Sequence, residues 1–154
     1  MWAESGAFVS PQHDAAMALR LLSGLYAAVL LLPEGEGSED DFNSNSADEW
    51  RRVYDRFADL PVSNYWEIFN PLEPQAEEPV LASLADDLAD IHRDLQRGFV
   101  LFDRGDVNGA VWEWSFHFRA HWGHHLTAAV YALHAWWAEN YFEPLGEHPQ
   151  PRNE

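Results

Sequence analysis

The chain has 154 residues and a formal net charge of −17, with 26 acidic residues against 9 basic ones, and all of the basic residues are arginine. This charge excludes the basic surface that nucleic-acid binding needs, and the lack of lysine excludes a Walker-type lysine, a Schiff-base lysine and a polybasic membrane tether. Cysteine is absent, which excludes a disulfide framework, a catalytic thiol and cysteine-based metal sites. The length and the 47% of hydrophobic residues predict a single domain with its own core.

No targeting or membrane segment is predicted. The residues before Asp14 include no arginine or lysine, so the positive region of a signal peptide is missing. The longest uncharged apolar stretch, residues 21–33, is shorter than the ~20 residues that span a bilayer. We therefore expect a cytoplasmic protein with no membrane and no nucleic acid among its partners.

The first predicted helix begins at Ser10 and Pro11, because serine is a good N-cap and proline fits the first helical turn. Leucines at helical spacing follow, and Pro33 ends the helix. Residues 34–48 are rich in glycine, serine, asparagine and acidic side chains. They are predicted to form an acidic loop.

A second, shorter helix is predicted from the capping box of Ser46 and Glu49 up to Pro61. The segment 65–69, in which three of the five residues are aromatic, follows and lies between two prolines. These residues are predicted to form one extended segment that places rings against the core. A lone strand does not change the fold class.

The third and fourth helices carry the strongest patterns. The third is predicted to open at Pro79 and shows apolar residues at steps of three and four. Gly105 and Asp106 are typical of a helix end followed by a new N-cap. The fourth helix is then apolar almost all round and runs towards Pro144, with Gly123 marking either a close neighbour or a kink.

These elements predict an all-α, single-domain fold similar to a four-helix bundle. Its third and fourth helices form an antiparallel hairpin, and its core covers about residues 11–142. The tail, residues 143–154, contains three prolines and is predicted to be frayed.

Polar residues interrupt the apolar frame at one place. A stripe of the fourth helix carries Glu113, His117, His121, His124 and His125, and the third helix carries Asp87, Asp90 and Asp94 at steps of three and four. An antiparallel hairpin would bring these stripes together. The residues expected at the same level are Asp94 with His117, Asp90 with His121, and Asp87 with His124.

Three interpretations of these stripes remain open. The acids and imidazoles could form a structural polar seam, with Asp94, His117 and His124 as members, since buried charges need partners. They could instead hold a divalent transition metal such as Zn, Fe, Mn or Ni, because imidazole and carboxylate ligands on facing helices suit these ions. The candidate metal ligands are His121, His125, Glu113, Asp87 and Asp90. The third interpretation is an exposed histidine ridge without a role.

Three segments, residues 65–71, 84–95 and 112–125, together resemble the bacterial family called domain of unknown function 5063. The resemblance covers roughly residues 15–137. Its most specific parts are Asp86, Asp87 and Asp90 and the element His121-Trp122-Gly123 with His125. It implies a small, all-helical, cytosolic bacterial protein and no activity. The resemblance also implies that relatives lack histidine at the positions of His117 and His124. This favours His121, His125 and the aspartates as the site residues.

Two functions follow from this reasoning. The first, which we favour at this point, is a non-catalytic binding or regulatory module whose acidic surface meets a basic protein partner. The second is a metal-binding helical protein with hydrolytic or redox chemistry at the aspartate, glutamate and histidine cluster. No cofactor other than a divalent transition metal is expected, and neither an enzymatic activity nor an oligomeric state follows from the sequence.

Overall fold

The computed structural model describes residues 10–37, 47–73 and 78–140. Within them, helices dominate and a single pair of strands forms the sheet, which confirms the all-α fold class. The elements in chain order are α1 (Pro11–Val29), α2 (Ala47–Phe57), β1 (Asn64–Glu67), β2 (Val80–Ser83), α3 (Leu84–Asp103), α4 (Val107–His117), a π-helical turn (Phe118–Trp122) and α5 (Gly123–Asn140).

The predicted helix boundaries at Ser10 and Asp106 are confirmed. The Ser10 hydroxyl accepts a hydrogen bond from the amide of His13 at 3.1 Å, and the Asp106 carboxylate accepts one from the amide of Gly109 at 2.8 Å. Gly105 has a φ of 86°, a left-handed conformation that favours glycine between two helices. The chain therefore reverses there, and α3 packs against α4 and α5 in the expected hairpin.

The start of the third helix differs from the prediction. Residues Val80–Ser83 form β2, which pairs with β1 in an antiparallel register that sets Tyr65 opposite Ala82 and Glu67 opposite Val80. The helix begins after Ser83, which has an extended backbone and whose hydroxyl accepts a hydrogen bond from the amide of Asp86. The aromatic segment is thus one strand of a two-stranded sheet, because its backbone hydrogen bonds are satisfied by β2.

The fourth predicted helix is interrupted by the π-helical turn. A π-helical turn accommodates one residue more than an α-helical turn and changes the direction of the side chains that follow. A Cβ atom at Gly123 would collide with the carbonyl oxygen of Phe118. Gly123 therefore marks a close approach within the interrupted helix.

The core lies between α1, α3 and α5, with α2 packed on α3. The large side chains at its centre include Leu84, Trp122, Leu126 and Leu133, all of which are fully buried. Across the described ranges, no helix is long and apolar enough to span a bilayer. The predicted cap Ser46, residues 38–46 of the acidic loop and the tail 143–154 lie outside the described residues.

Candidate metal centre

His121, His125 and Asp90 meet on one side of the hairpin. The two histidines are four residues apart across the end of the π-helical turn, and Asp90 faces them from α3. One ligand-type atom of each residue lies within 4.8 Å of the corresponding atoms of the other two. His121 retains 42% side-chain exposure, so this group of three opens to solvent.

Each of the two imidazoles is oriented by a different aspartate of α3. His121 Nδ1 lies 2.6 Å from Asp94 Oδ2, and His125 Nδ1 lies 2.8 Å from Asp87 Oδ1. A carboxylate accepts hydrogen bonds, so both Nδ1 atoms carry the proton and donate. The hydrogen bonds therefore turn both Nε2 atoms towards Asp90 and towards each other.

The two orienting aspartates are themselves held. The Tyr65 hydroxyl, from β1, donates a hydrogen bond to Asp87 Oδ2. Arg93 Nε donates to Asp94 Oδ1 at 3.3 Å. The chain thus supplies an ordered outer layer, in which strand β1 and helix α3 fix the aspartates that fix the rings.

Asp90 is positioned by two donors from different helices. The indole nitrogen of Trp50, on α2, donates to Asp90 Oδ1 at 2.6 Å, and the Arg93 guanidinium lies 2.8 Å from the same oxygen. The second oxygen, Oδ2, lies 3.7 Å from His125 Nε2, which is beyond hydrogen-bonding distance. Asp90 therefore presents one oxygen to the histidines while the other is occupied.

The geometry gathers acceptor atoms around one point. His121 Nε2 and His125 Nε2 are 3.3 Å apart, and in the neutral rings each carries a lone pair because the protons are on Nδ1. Asp90 Oδ2 adds a third acceptor. Three facing acceptors repel one another unless a positive species, either a proton or a metal ion, lies among them.

The pKa shifts around the site arise from burial, from hydrogen bonds to Asp87 and from the neighbouring carboxylates. The hydrogen bond to Asp87 raises the pKa of His125, although burial acts in the opposite direction. Burial raises the pKa of the Asp86 carboxyl, and the neighbouring Asp90 and Asp87 carboxylates raise it further. Burial and the hydrogen bond to Asp87 likewise raise the pKa of the Tyr65 hydroxyl. The carboxylates of Asp86, Asp87 and Asp90 together attract cations to this part of the protein.

The aspartates of α3 pair with other histidines than the sequence predicted. The expected pairs were Asp94 with His117, Asp90 with His121 and Asp87 with His124. In the structure Asp94 pairs with His121, Asp87 pairs with His125, and Asp90 lies nearest to His125. The partner of Asp87 moves by one residue, from His124 to His125, which matches the residue that the π-helical turn adds after His117. The partner of Asp94 moves by four residues, about one helical turn, which is more than that addition explains.

His117 and His124 also pair with acids, but with different ones. His117 Nε2 lies 3.1 Å from Glu113 Oε2 on its own helix, and His124 Nε2 lies 2.7 Å from Glu67 Oε1 on β1. These two contacts separate both histidines from the group formed by His121, His125 and Asp90.

Two of the five predicted metal ligands do not join that group. Asp87 stands behind His125 as its hydrogen-bond acceptor. Glu113 is buried and forms an ion pair with Arg97 Nε at 2.7 Å. The structure therefore brings together three of the five residues, gives Asp87 an orienting position, and places Glu113 in a separate ion pair.

Trp50, Tyr65 and Arg93 were not predicted to take part in the site. One signal was available, because a partly buried tryptophan or tyrosine needs a hydrogen-bond partner for its N–H or O–H group. The choice of Asp90 and Asp87 as those partners depends on how α2 and β1 pack on α3, which local patterns do not contain.

The fold and this cluster define a helical-bundle protein with a histidine and aspartate centre between two long helices. The family model described as domain of unknown function 5063 matches residues 9–139, and the chain belongs to this family. A crystal structure of protein BF1032 from Bacteroides fragilis is similar, with a TM-score of 0.67 and 21% sequence identity over 87% of this chain and 84% of that one. This likeness shows the shared fold. Among curated proteins, none matches the chain.

Proposed function

We propose that this protein binds a divalent transition-metal ion through His121 Nε2, His125 Nε2 and Asp90 Oδ2. The observation that carries the proposal is the convergence of three acceptor atoms, of which the two nitrogens are 3.3 Å apart. Hydrogen bonds from both Nδ1 atoms to aspartates hold those nitrogens in place.

The spacing suits a metal ion. Two imidazole nitrogens bound to zinc at ~2.05 Å with a tetrahedral angle lie about 3.3 Å apart. The 3.7 Å between Asp90 Oδ2 and His125 Nε2 would need a wider angle or a small movement of the carboxylate. An ion would thus replace a repulsive contact with three bonds while requiring little change in the rings.

The outer layer supports the same proposal. Metal-binding histidines commonly donate their second ring N–H to a carboxylate, which fixes the ring and makes the ligand more basic. Asp94 and Asp87 accept these bonds from His121 and His125. Each histidine therefore has its own carboxylate, and Asp90 is left to complete the ligand set.

The ligand set favours particular ions and chemistry. Two histidines and one carboxylate are the protein ligands of several hydrolytic zinc sites and of non-haem iron oxygenases. Three protein ligands leave at least one coordination position for water or a substrate. The exposure of His121, at 42% of its side chain, supports access to that position from solvent.

A non-catalytic binding module is the second candidate. In that case the positive species between the rings is a proton, so that one imidazolium donates Nε2–H to the other ring across the 3.3 Å contact. The raised pKa of His125 favours this alternative. The cluster would then be a structural seam, and the net charge of −17 would serve contact with a basic partner.

Elemental analysis of protein purified without a histidine tag separates the two candidates. The metal proposal expects one zinc, iron, manganese or nickel ion per chain, and a thermal transition that falls when a chelator removes it. It also expects Co²⁺ to give the visible absorption of a four- or five-coordinate site. Metal-free protein whose thermal transition ignores all four ions would overturn the proposal and leave the shared proton.

Variants identify the ligands. His121→Ala, His125→Ala and Asp90→Asn should each reduce Co²⁺ affinity by at least about tenfold. His134→Ala is the matched control, because His134 is an exposed histidine of α5 that contacts Trp137 rather than the cluster. Equal loss of binding in the control would indicate nonspecific surface binding.

A further inference from the structure

A concave site separate from the candidate metal centre lies between α5 and strand β1. It is a groove of about 440 Å³, which falls in the size range of small-molecule sites. The strand side contributes Trp66, Glu67 and Ile68, and the helix side contributes His124, Thr127 and Tyr131. Neither ligand histidine of the candidate metal centre lines this groove.

The walls of the groove are aromatic and apolar although they face solvent. Trp66 is 66% exposed and Tyr131 is 71% exposed. Outside the lining, Phe69 stacks on the ring of His124, which does line the groove, with a centroid distance of 5.2 Å. Exposed rings at the two sides of one concave site are a surface that binds flat or apolar groups.

The base of the groove is acidic. Glu67 is the charged acid of the lining, and its side chain is only 9% exposed. Burial raises the pKa of its carboxyl, and the nearby Asp87 carboxylate raises it further while His124 lowers it. Among the described residues of the lining there is no arginine. The carboxylate thus faces one imidazole, that of His124, in the described lining.

We infer that this groove binds an organic cation that joins an ammonium or guanidinium group to a flat apolar body. The cationic group would pair with Glu67, and the apolar body would lie between Trp66 and Tyr131. An anionic ligand would meet the Glu67 carboxylate and the acidic residues behind it. A neutral apolar ligand would cover the carboxylate without providing a counter-charge, which costs free energy. Rings and a carboxylate together are a common recognition pattern for cations.

The inference does not rest on the proposed metal centre, and its test is carried out on metal-free protein in the presence of chelator. The probes are 2-phenylethylammonium, 2-phenylethanol and 3-phenylpropionate, which share the ring and differ in charge. Binding is followed by NMR through the amides of Thr127 and Ala128 and the indole of Trp66. The ammonium should bind about tenfold more tightly than the alcohol, because a partly buried ion pair and cation–π contact together supply roughly that factor, and the carboxylate should bind least.

Two variants and a matched control locate the site. Glu67→Gln should reduce the preference for the ammonium over the alcohol to within about twofold, and Trp66→Ala should weaken both ligands. Glu139→Gln, which changes an exposed carboxylate of α5 outside the groove, should change neither. Because Trp66 is mostly exposed, its variant keeps the test valid even if Glu67→Gln fails to fold.

A further comparison identifies the source of the cation. An arginine amide peptide that binds more tightly than the free ammonium would indicate the side chain of a basic protein partner. The reverse order would indicate a small amine. Equal affinities for the ammonium and the alcohol in the unmodified protein, or NMR shifts that map away from the groove, would overturn the inference.

Discussion

The Tyr65 hydroxyl donates a hydrogen bond to Asp87, although the residues are 22 positions apart and belong to a strand and a helix. Asp87 accepts a second bond from His125 Nδ1 through its other oxygen. A relay of three side chains thus connects the small sheet to the candidate metal centre. The sheet therefore has a role in the site that its two short strands would not suggest.

Tyr65→Phe should weaken metal binding without removing a ligand. The variant keeps the ring in place and deletes the hydroxyl that holds Asp87, so His125 becomes less firmly oriented. Loss of a group that bonds directly to a ligand histidine typically costs 10–100-fold in affinity, and Tyr65 is one step further out, so we expect about a threefold to tenfold loss. A Zn²⁺ competition titration measures it. Tyr131→Phe, which removes the hydroxyl of an exposed tyrosine, is the control and should leave the affinity unchanged.

Stability of the metal-free protein should fall as pH rises. The folded-state pKa of His125 is raised, so its proton stabilises the fold fully below about pH 6.5, and this contribution is lost as pH increases through the raised value. The raised pKa values of Glu67 and Asp86 act in the same sense at lower pH. Urea unfolding with chelator at about pH 6 and pH 8.5 should show the higher free energy of unfolding at pH 6.

A variant tests whether His125 causes this change in the free energy of unfolding with pH. His125→Gln should flatten the change above about pH 6.5, whereas His134→Gln should preserve it. Saturating Zn²⁺ should reverse the trend, because the ion competes with the proton for the same nitrogen and binds better at higher pH. Stability of the metal-free protein that increases between these pH values would contradict the assignment.

Much of the fold could be predicted from the sequence, because the signals that end and begin its helices are local. Ser10 and Asp106 cap their helices as predicted, and Gly105 has the conformation expected between two helices. The start of α3 was mispredicted, since Pro79 satisfies a local rule for helix initiation while residues Val80–Ser83 pair with strand residues 13 to 19 positions earlier. Nonlocal pairing of this kind is absent from a local pattern.

The sequence predicted that a stripe of aspartates and a stripe of histidines face each other. It did not predict correctly which aspartate pairs with which histidine. Straight helices give the correct faces, and both His121 and the aspartates of α3 lie on them. The partner of Asp94 differs from the prediction by four residues and that of Asp87 by one, and the π-helical turn, which adds one residue after His117, accounts for the second difference only. Gly123 was the available signal for this irregularity, although a glycine does not specify its size.

Gly123→Ala should destabilise the protein by about 1–3 kcal/mol, because the new methyl group meets Phe118 and the tightly packed turn must move. This cost exceeds the helix-propensity advantage of alanine, which is about 1 kcal/mol. Gly24→Ala is the matched control on α1, where a Cβ atom has no neighbour within 4 Å in the described part of the chain. The control should stabilise by about 0.5–1 kcal/mol. Thermal or urea unfolding of both variants gives the comparison, and similar changes of the same sign would contradict it.

Glu113→Ala should separate stability from metal binding. The variant removes the buried partner of Arg97 and His117, and the free energy of unfolding should fall by about 1–3 kcal/mol. This is less than the cost of breaking a fully buried pair, because Arg97 is one-third exposed to solvent. Zn²⁺ affinity should remain within about twofold, since Glu113 lies outside the group formed by Asp90 and the two histidines. Asp90→Asn should show the opposite pattern, with a large loss of affinity. If Glu113→Ala alone abolished binding in folded protein, the ligand set would have to include Glu113.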